Sequence, residues 1–311
     1  MEEYHYTFTA MASPCELRLY AATRQQADRA AALAQAEVQR IEYKYSRYRD
    51  DSVLSAINSA AGQSPLRVDD ETAALLRYAD TAWQQSGGLF DITSGVLRRA
   101  WDFKSGLLPT DAAIAELLPL IGWQRVVWDG REVSLPLAGM QLDFGGFGKE
   151  YAADAAARVC GDNGIQHGLV ELGGDIHAIG PHPDGSPWRI GIRHPRAPES
   201  AIAVLALRSG GLASSGDYER YMVIDGRRYS HLLNPGTGWP VTGNLASVSV
   251  VAPLCLIAGT GATVALLKGE QGSRWLETLG LPHLSVDAHG QLGGSVDFST
   301  QADLKSDAVS D

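Results

Sequence analysis

The stretch 212–241 holds the side chains best suited to chemistry in this sequence: two hydroxyls, a carboxylate and an imidazole, from Ser214, Ser215, Asp217 and His231. Two runs of β-prone residues, 221–224 and 228–232, follow the aspartate and lead to the histidine. Between the runs stands Asp225-Gly226, a dipeptide that favours a tight hairpin turn. A hairpin would bring both ends together, where the glycine-rich loop 234–238 would add backbone N–H groups.

Such a cluster would suit an anionic substrate, because N–H groups and hydroxyls bind negative charge and a histidine moves protons near neutral pH. Two other interpretations remain open. The hairpin could be a surface element whose histidine is only hydrogen-bonded. Ser215 and His231 could also be the nucleophile and base of a hydrolase, although the sequence contains no Gly-x-Ser-x-Gly motif.

A second candidate site lies in the run 141–154, where Asp143 precedes a glycine-rich turn that ends at Lys149. The pattern predicts a strand, the turn and an alanine-rich helix that continues to Val159. The start of such a helix binds phosphate through free N–H groups and the helix dipole. The spacing matches neither a P-loop nor the dinucleotide fingerprint, so a tight turn without a ligand is the alternative.

Several elements would position these groups. A helix is predicted over 23–47 with Thr23 as its N-cap, a second over 69–85 that stops at Gly87-Gly88, and a third over 254–268. Strands are predicted between them. Directly after the glycine pair come Leu89, Phe90 and Asp91, which would either plug the core and cap a helix or line a ligand site.

The composition indicates a globular protein. The chain has 311 residues, 45% of them hydrophobic, so it can bury a sizeable core. A formal net charge of −10 argues against a nucleic-acid partner. Cys15, Cys160 and Cys255 are far apart, which indicates neither a zinc site nor a disulfide framework. Without a long apolar run or leader-like start we expect no membrane insertion and a cytoplasmic protein, or a periplasmic one if a leader was removed.

Taken in order, seven short motifs resemble those of the ApbE family, the FAD:protein FMN transferases. The resemblance covers about residues 11 to 269, and this order of motifs is specific to the family. The matching segments are Met11-Ala12-Ser13; Tyr45-Ser46 with Tyr48, Ser55 and Asn58; Gly87-Gly88-Leu89-Phe90-Asp91; Asp143-Phe144-Gly145-Gly146-Phe147-Gly148-Lys149 with Tyr151 and Asp154; Gly173-Gly174-Asp175; Ser215-Gly216-Asp217-Tyr218; and His231-Leu232-Leu233-Asn234-Pro235 with Thr237, Gly238 and Pro240.

The resemblance implies an α+β fold of the T-fold-like kind, a single domain of mixed β-sheets flanked by helices over residues 1–295. Residues 296–311 would be a polar tail that we expect to be disordered. It also implies that FAD binds in a cleft between two halves. Family members cleave the FAD pyrophosphate and attach FMN through a phosphoester to a Thr or Ser of an acceptor protein, a flavoprotein or redox-complex subunit, with release of AMP.

The family pattern can be carried over residue by residue. His231 would lie beside the phosphates and, with Lys149, would be catalytic. The residues expected to contact FAD are Met11, Leu89, Phe90, Asp91, Asp143, Lys149, Ser215, Gly216, Asp217 and His231.

Magnesium in the family is held by a carbonyl of the glycine-rich turn, here near Gly146, and by an Asp and a Thr four residues apart in a C-terminal helix. The Thr is Thr263, but the Asp position is Gly259. Losing a carboxylate should weaken magnesium binding or make it dependent on FAD. Asp175 and Asp217 are candidates to replace it. The sequence departs at a second position, since Glu150 follows Lys149 where the family usually has Gly.

Two functions therefore remain open. The chain is either an active FAD:protein FMN transferase or a FAD-binding relative with weak or no transfer. An enzyme that hydrolyses FAD to FMN and AMP without an acceptor would lie between them.

Overall fold

The computed structural model describes residues 1–241 and 243–300. Its strands, in chain order, are β1 (Glu2–Ala10), β2 (Ser13–Ala21), β3 (Leu66–Arg67), β4 (Val127–Trp128), β5 (Glu132–Ser134), β6 (His167–Leu172), β7 (Asp175–Gly180), β8 (Trp188–His194), β9 (Ala197–Leu207), β10 (Gly210–Gly216), β11 (Tyr221–Ile224), β12 (Arg227–Ser230), β13 (Leu245–Ala252), β14 (His283–Asp287), β15 (Leu292–Gly294) and β16 (Phe298–Ser299).

The α-helices are α1 (Arg24–Tyr45), α2 (Val53–Ser59), α3 (Asp70–Ser86), α4 (Asp111–Leu117), α5 (Gly148–Asp162), α6 (Cys255–Lys268) and α7 (Gly272–Thr278). Short 3₁₀ segments cover Ile92–Arg99, Leu118–Leu120, Trp123–Arg125 and Gly269–Gln271. No helix in the described ranges is both long and apolar enough to cross a membrane.

An antiparallel sheet forms the centre of the molecule. Its strand order is β1-β2-β6-β7-β10-β13-β14-β15, and every neighbouring pair is antiparallel. Smaller sheets have the orders β3-β5-β4, β11-β12 and β16-β9-β8. Strands and helices thus share one domain, which confirms the predicted α+β class.

Helices α1, α5 and α6 pack against the central sheet through their buried residues. The buried residues of α1 recur every three or four positions, and four of them are alanines at 27, 30, 31 and 34. Helix α5 buries alanines as well. Small side chains let α1 and α5 approach each other closely, and this places the start of α5 next to the central sheet.

Other hydrophobic residues of the sheet pack against the hairpin of β8 and β9. Trp188, Leu205 and Leu207 lie in one buried cluster with Leu169 and Leu212. Strand β16 extends this hairpin, since Phe298 pairs with Leu205. The ordered domain therefore reaches beyond the predicted boundary at residue 295, and the part of the predicted tail at 301–311 lies outside the described residues.

The predicted hairpin and helix ends are confirmed. Asp225 and Gly226 both have positive φ values, 50° and 75°, between β11 and β12. Thr23 accepts a hydrogen bond from the Gln26 N–H at the start of α1, and Gly87 ends α3 with φ 72°. The predicted strand before the glycine-rich turn was wrong: residues 141–144 are not in a strand, because the peptide groups of Leu142 hydrogen-bond to the Asn58 side chain instead.

Asp154 holds the start of α6 in place from the neighbouring helix α5. Leu254, the residue before α6, offers no side-chain cap. The Asp154 carboxylate instead accepts hydrogen bonds from the N–H groups of Cys255 and Leu256, at 2.7 and 3.0 Å. It also lies 2.6 Å from Nδ1 of His177 on β7. One side chain thus joins two helices and the sheet, and satisfies N–H groups that would otherwise lack partners.

Replacing this cap should destabilise the fold. We expect Asp154→Ala to lower the free energy of unfolding by about 1–2 kcal/mol, the usual effect of losing a helix cap. Urea denaturation measures it. The matched control is Asp162→Ala in the last turn of the same helix, where an exposed pair with Arg158 should contribute less than about 0.5 kcal/mol. Equal losses in the two variants would contradict this role for Asp154.

Candidate active site

A cleft of about 1720 Å³ opens beside the start of α5. Pockets for small molecules usually measure about 300–1,000 Å³, so this cleft can hold a dinucleotide with space left for a second molecule. Of the residues predicted to act, those that line it are Leu89, Phe90, Asp91, Asp143, Gly146, Lys149, Ser215, Gly216, His231 and Thr263.

Two phenylalanines anchor the glycine-rich turn before α5 in the hydrophobic core. Phe144 and Phe147 are almost fully buried, and their ring centroids lie 5.0 Å apart. Gly145 and Gly146 line the cleft between them, and a Cβ on Gly146 would lie 3.3 Å from the Phe90 ring. The alternation of Phe and Gly therefore fixes one side of the turn in the core and leaves the other side open to a ligand.

Asp143 is surrounded by cations that sequence reasoning missed. Its carboxylate accepts hydrogen bonds from the guanidinium of Arg47 at 2.8 Å, from Arg98, and from the Gly145 N–H at 3.0 Å. All three charged side chains line the cleft. Two guanidinium groups facing one carboxylate leave an excess of positive charge beside the glycine-rich turn. Guanidinium groups suit phosphate, and only the fold brings these arginines together.

Lys149 bridges the first turn of α5 and the turn between β6 and β7. Its Nζ donates a hydrogen bond of 2.8 Å to the Gly173 carbonyl. The same Nζ lies 2.8 Å from a carboxylate oxygen of Asp175. Burial acts to lower the pKa of Lys149, but Asp175 outweighs burial and the pKa is raised. Lys149 is therefore charged at neutral pH, and Asp175, which sequence reasoning offered as a spare metal ligand, is already paired.

The space expected to hold a carboxylate at position 259 contains one from another helix. A Cβ built on Gly259 would lie 2.4 Å from Oε1 of Glu150. Burial and the nearby Asp175 raise the pKa of Glu150 well above its usual value. Four residues after Gly259, Thr263 lines the cleft with its hydroxyl 2.8 Å from that of Ser215. Gly259 itself is buried and does not line the cleft.

The chemistry of these groups suits a hard cation. In the ranges that the structure describes, no three His, Cys, Asp or Glu side chains are grouped to hold a metal. The cleft instead offers single oxygen donors: the Glu150 carboxylate and the hydroxyls of Thr263 and Ser215, with Gly146 nearby in the lining. Magnesium takes oxygen ligands and usually keeps waters or substrate phosphates as well, so a sparse set of this kind is compatible with it.

His231 lies at the cleft in a form able to accept a proton. Its Nδ1 lies 3.2 Å from the Arg220 carbonyl, which can only accept, so this hydrogen bond requires the proton on Nδ1. The other nitrogen, Nε2, then carries a free lone pair. Burial, reinforced by Arg220, lowers the pKa of His231 to about 4, so the ring is neutral at physiological pH.

Three predicted FAD contacts have other partners in the structure. Met11 lies in the turn between β1 and β2 outside the cleft lining, and its N–H donates to Glu42. Asp217 also lies outside the lining and forms a two-pronged ion pair with Arg196 at 2.6 and 2.8 Å. Asp91 reaches the lining, but its buried carboxylate accepts hydrogen bonds from Thr93 and Trp123. The carboxylates of Asp91 and Asp217 thus have partners within the protein, whereas Met11 is engaged through its backbone N–H.

The hydrolase interpretation finds no support in this geometry. The Ser215 hydroxyl is hydrogen-bonded to Thr263, and the His231 ring is hydrogen-bonded to the Arg220 carbonyl. A serine nucleophile requires its base within hydrogen-bond reach, and no hydrogen bond joins Ser215 to His231 in the part of the chain that the structure describes.

Comparison with known proteins identifies the family. Residues 11–284 match the model of the ApbE family, and the chain belongs to that family. It is 32% identical over 293 residues to a FAD:protein FMN transferase of Treponema pallidum, covering 88% of this chain and 81% of that one. It is 30% identical over 239 residues to a FAD:protein FMN transferase of Vibrio cholerae, covering 75% and 72%.

Solved structures give the same result. An ApbE protein of Thermotoga maritima matches with a TM-score of 0.87 and 29% identity, over 94% of this chain and 97% of that one. The flavin transferase ApbE of Vibrio cholerae matches with a TM-score of 0.85 and 25% identity, over the same shares of the two chains. The resemblance read from the seven motifs is thus confirmed at the level of family and fold.

The protonation state of His231 can be tested directly. We expect its imidazole to stay neutral, with the proton on Nδ1, from pH 7 down to about pH 4, since burial disfavours the charged ring. A pH titration of the histidine ring nitrogens by NMR measures this, with His231→Gln to assign the signal. Arg220→Gln is the comparison and should raise the pKa only in part, because burial is the larger cause. A titration midpoint near the ordinary 6.5 would contradict this account of the site.

Proposed function

We propose that this chain is a FAD:protein FMN transferase, which cleaves FAD and attaches FMN to a hydroxyl of an acceptor protein. One observation carries the proposal: Lys149 at the start of α5 and His231 at the end of the hairpin line the same cleft, although they are far apart in sequence. Relatives that share the fold and about 30% of the sequence are named for this activity.

The cleft offers a binding site for the FAD pyrophosphate beside the glycine-rich turn. The start of α5 has no side-chain cap and directs backbone N–H groups outward, where an anion is favoured. Arg47 and Arg98 add positive charge next to it. Because ion pairs with Asp143 hold the two arginines before a ligand arrives, little reorganisation is needed on binding.

The transfer step requires a hydroxyl, a base and neutralised phosphates. The acceptor oxygen attacks the FMN phosphorus, the bond from that phosphorus to the bridging oxygen breaks, and AMP leaves with this oxygen. The hydroxyl proton passes to Nε2 of His231, which is neutral and free to accept it. When bound, magnesium would neutralise the charge that develops on the phosphates, and Thr263 and the turn at Gly146 are the residues already expected to hold it.

Transfer can be tested by intact mass spectrometry. The purified chain is incubated with FAD, magnesium and an acceptor protein of a related flavinylation system, and every protein present is weighed. We expect the acceptor to gain the mass of one FMN less one water, with AMP in solution. An acceptor whose Thr or Ser is replaced by Ala is the control. FAD binding without any mass gain would instead favour a FAD-binding relative, and free FMN with AMP a hydrolase.

The base assigned to His231 gives a separate prediction. His231→Ala should leave the affinity for FAD within a few-fold and slow transfer by about 10²-fold or more, the usual effect of a general base. Fluorescence titration measures binding, and the appearance of labelled acceptor measures the rate. His289→Ala, on an exposed turn, should change neither. If binding falls as steeply as the rate, His231 is a FAD contact and another group takes the proton.

A further inference from the structure

Glu150 fills the space that the missing side chain of Gly259 leaves between α5 and α6. A Cβ on Gly259 would lie 2.4 Å from Oε1, 2.6 Å from Cγ and 2.9 Å from Cδ of Glu150. These distances are shorter than any real contact with a Cβ atom. A side chain at position 259 and the observed position of the Glu150 side chain therefore exclude each other.

Among the residues that the structure describes, no cationic side chain forms an ion pair with the buried Glu150 carboxylate. The residue is 9% exposed and still reaches the cleft lining. The adjacent cation, Lys149, is bound to Asp175 and the Gly173 carbonyl. No side chain of the described residues donates a hydrogen bond to Glu150, and the donor to its carboxylate is its own backbone N–H. A buried carboxylate in this position is costly unless a cation compensates it, so the site points to a positively charged ligand.

The neighbouring donors are the ones that a small hard cation requires. Thr263 lies on α6 one turn beyond Gly259, on the same side of the helix, and its hydroxyl is hydrogen-bonded to Ser215. Asp175 is held by Lys149, and Asp217 by Arg196. Unlike Asp175 and Asp217, which were the expected replacements, Glu150 lies against α6 near Thr263 and forms no ion pair with a cation among the described residues.

We propose that Glu150 is the carboxylate ligand of the divalent cation in this cleft, supplied from α5 to the space that faces Gly259. This inference rests on the proposed function only in assigning that cation to FAD cleavage; binding of the metal itself is independent of it. It replaces the expectation that metal binding depends on FAD, because the anionic ligand belongs to the protein. It also predicts that Gly259→Asp alone gains nothing, since the new side chain would collide with a like charge.

Metal binding tests the proposal without reference to activity. Mn²⁺, a paramagnetic substitute for Mg²⁺, is titrated into the metal-free full-length chain, and the signal of free Mn²⁺ is followed by electron paramagnetic resonance. We expect wild type to bind one Mn²⁺ without FAD. Glu150→Gln should weaken binding by at least about tenfold, since even residues that only support a ligand have effects of that size. Glu171→Gln, another partly buried carboxylate of the cleft, should bind like wild type.

A double variant moves the carboxylate to the other helix. Glu150→Gly combined with Gly259→Asp should restore Mn²⁺ affinity to within a few-fold of wild type, whereas Gly259→Asp alone should bind no more tightly than wild type. Circular dichroism confirms that each variant folds. Wild-type affinity in Glu150→Gln, or no Mn²⁺ binding by wild type in the absence of FAD, would overturn the proposal. If the double variant fails to fold, the Glu150→Gln result decides.

A parallel fluorescence titration with FAD, in the presence of a chelator, separates this proposal from the proposed function. Glu150→Gln should bind FAD as wild type does under these conditions, because the metal is absent from both. Failure of wild type to bind FAD would refute the proposed function and leave the Mn²⁺ result to stand alone.

Discussion

The close contact between α5 and α6 is the constraint on which the site depends. Asp154 on α5 caps the first turn of α6, and Gly259 on α6 leaves room for Glu150 of α5. The two contacts lie on the same pair of helices and set the distance between them. Because α6 also packs on β10, where Ser215 meets Thr263, the contact determines where the hydroxyls stand relative to the glycine-rich turn. One helix pair thus positions both walls of this part of the cleft.

Several charged side chains that line the cleft are held in ion pairs. Lys149 is paired with Asp175, and Asp143 with Arg47 and Arg98. These ion pairs are partly exposed, and they hold the charged side chains in position before any ligand binds. Two buried carboxylates of the cleft lack an ion pair among the described residues: Asp91 accepts hydrogen bonds from Thr93 and Trp123, whereas Glu150 accepts none from a side chain. His231 carries no charge at neutral pH because burial and the nearby Arg220 lower its pKa.

Local patterns in the sequence predicted most of the secondary structure. Thr23 and Gly87 mark helix ends through local hydrogen bonding and backbone conformation, and Asp225-Gly226 specifies a hairpin turn. These features could be predicted without tertiary information. The order of the seven motifs also predicted the family. The strand expected before the glycine-rich turn failed because Asn58, distant in sequence, satisfies the peptide groups of Leu142. Tertiary hydrogen bonding overrode a local preference there.

The chemistry of the site depended on contacts between distant residues. Nothing local in Arg47 or Arg98 points to Asp143, and nothing in Asp217 distinguishes a ligand contact from its ion pair with Arg196. Gly259 and Glu150 each departed from the family pattern, and of the two only Gly259 indicated a lost metal ligand. Only the distance between them shows that the Glu150 side chain occupies the space beside Gly259.

The most direct test is the location of the metal itself. Crystals of the chain grown with Mn²⁺, with data collected at the manganese absorption edge, would show the ion as an anomalous peak. We predict one peak in the cleft, bonded to the Glu150 carboxylate at a typical ligand distance of about 2.1 Å and next to Thr263. A peak bonded to Asp175 or Asp217, with Glu150 outside the coordination shell, would contradict the account.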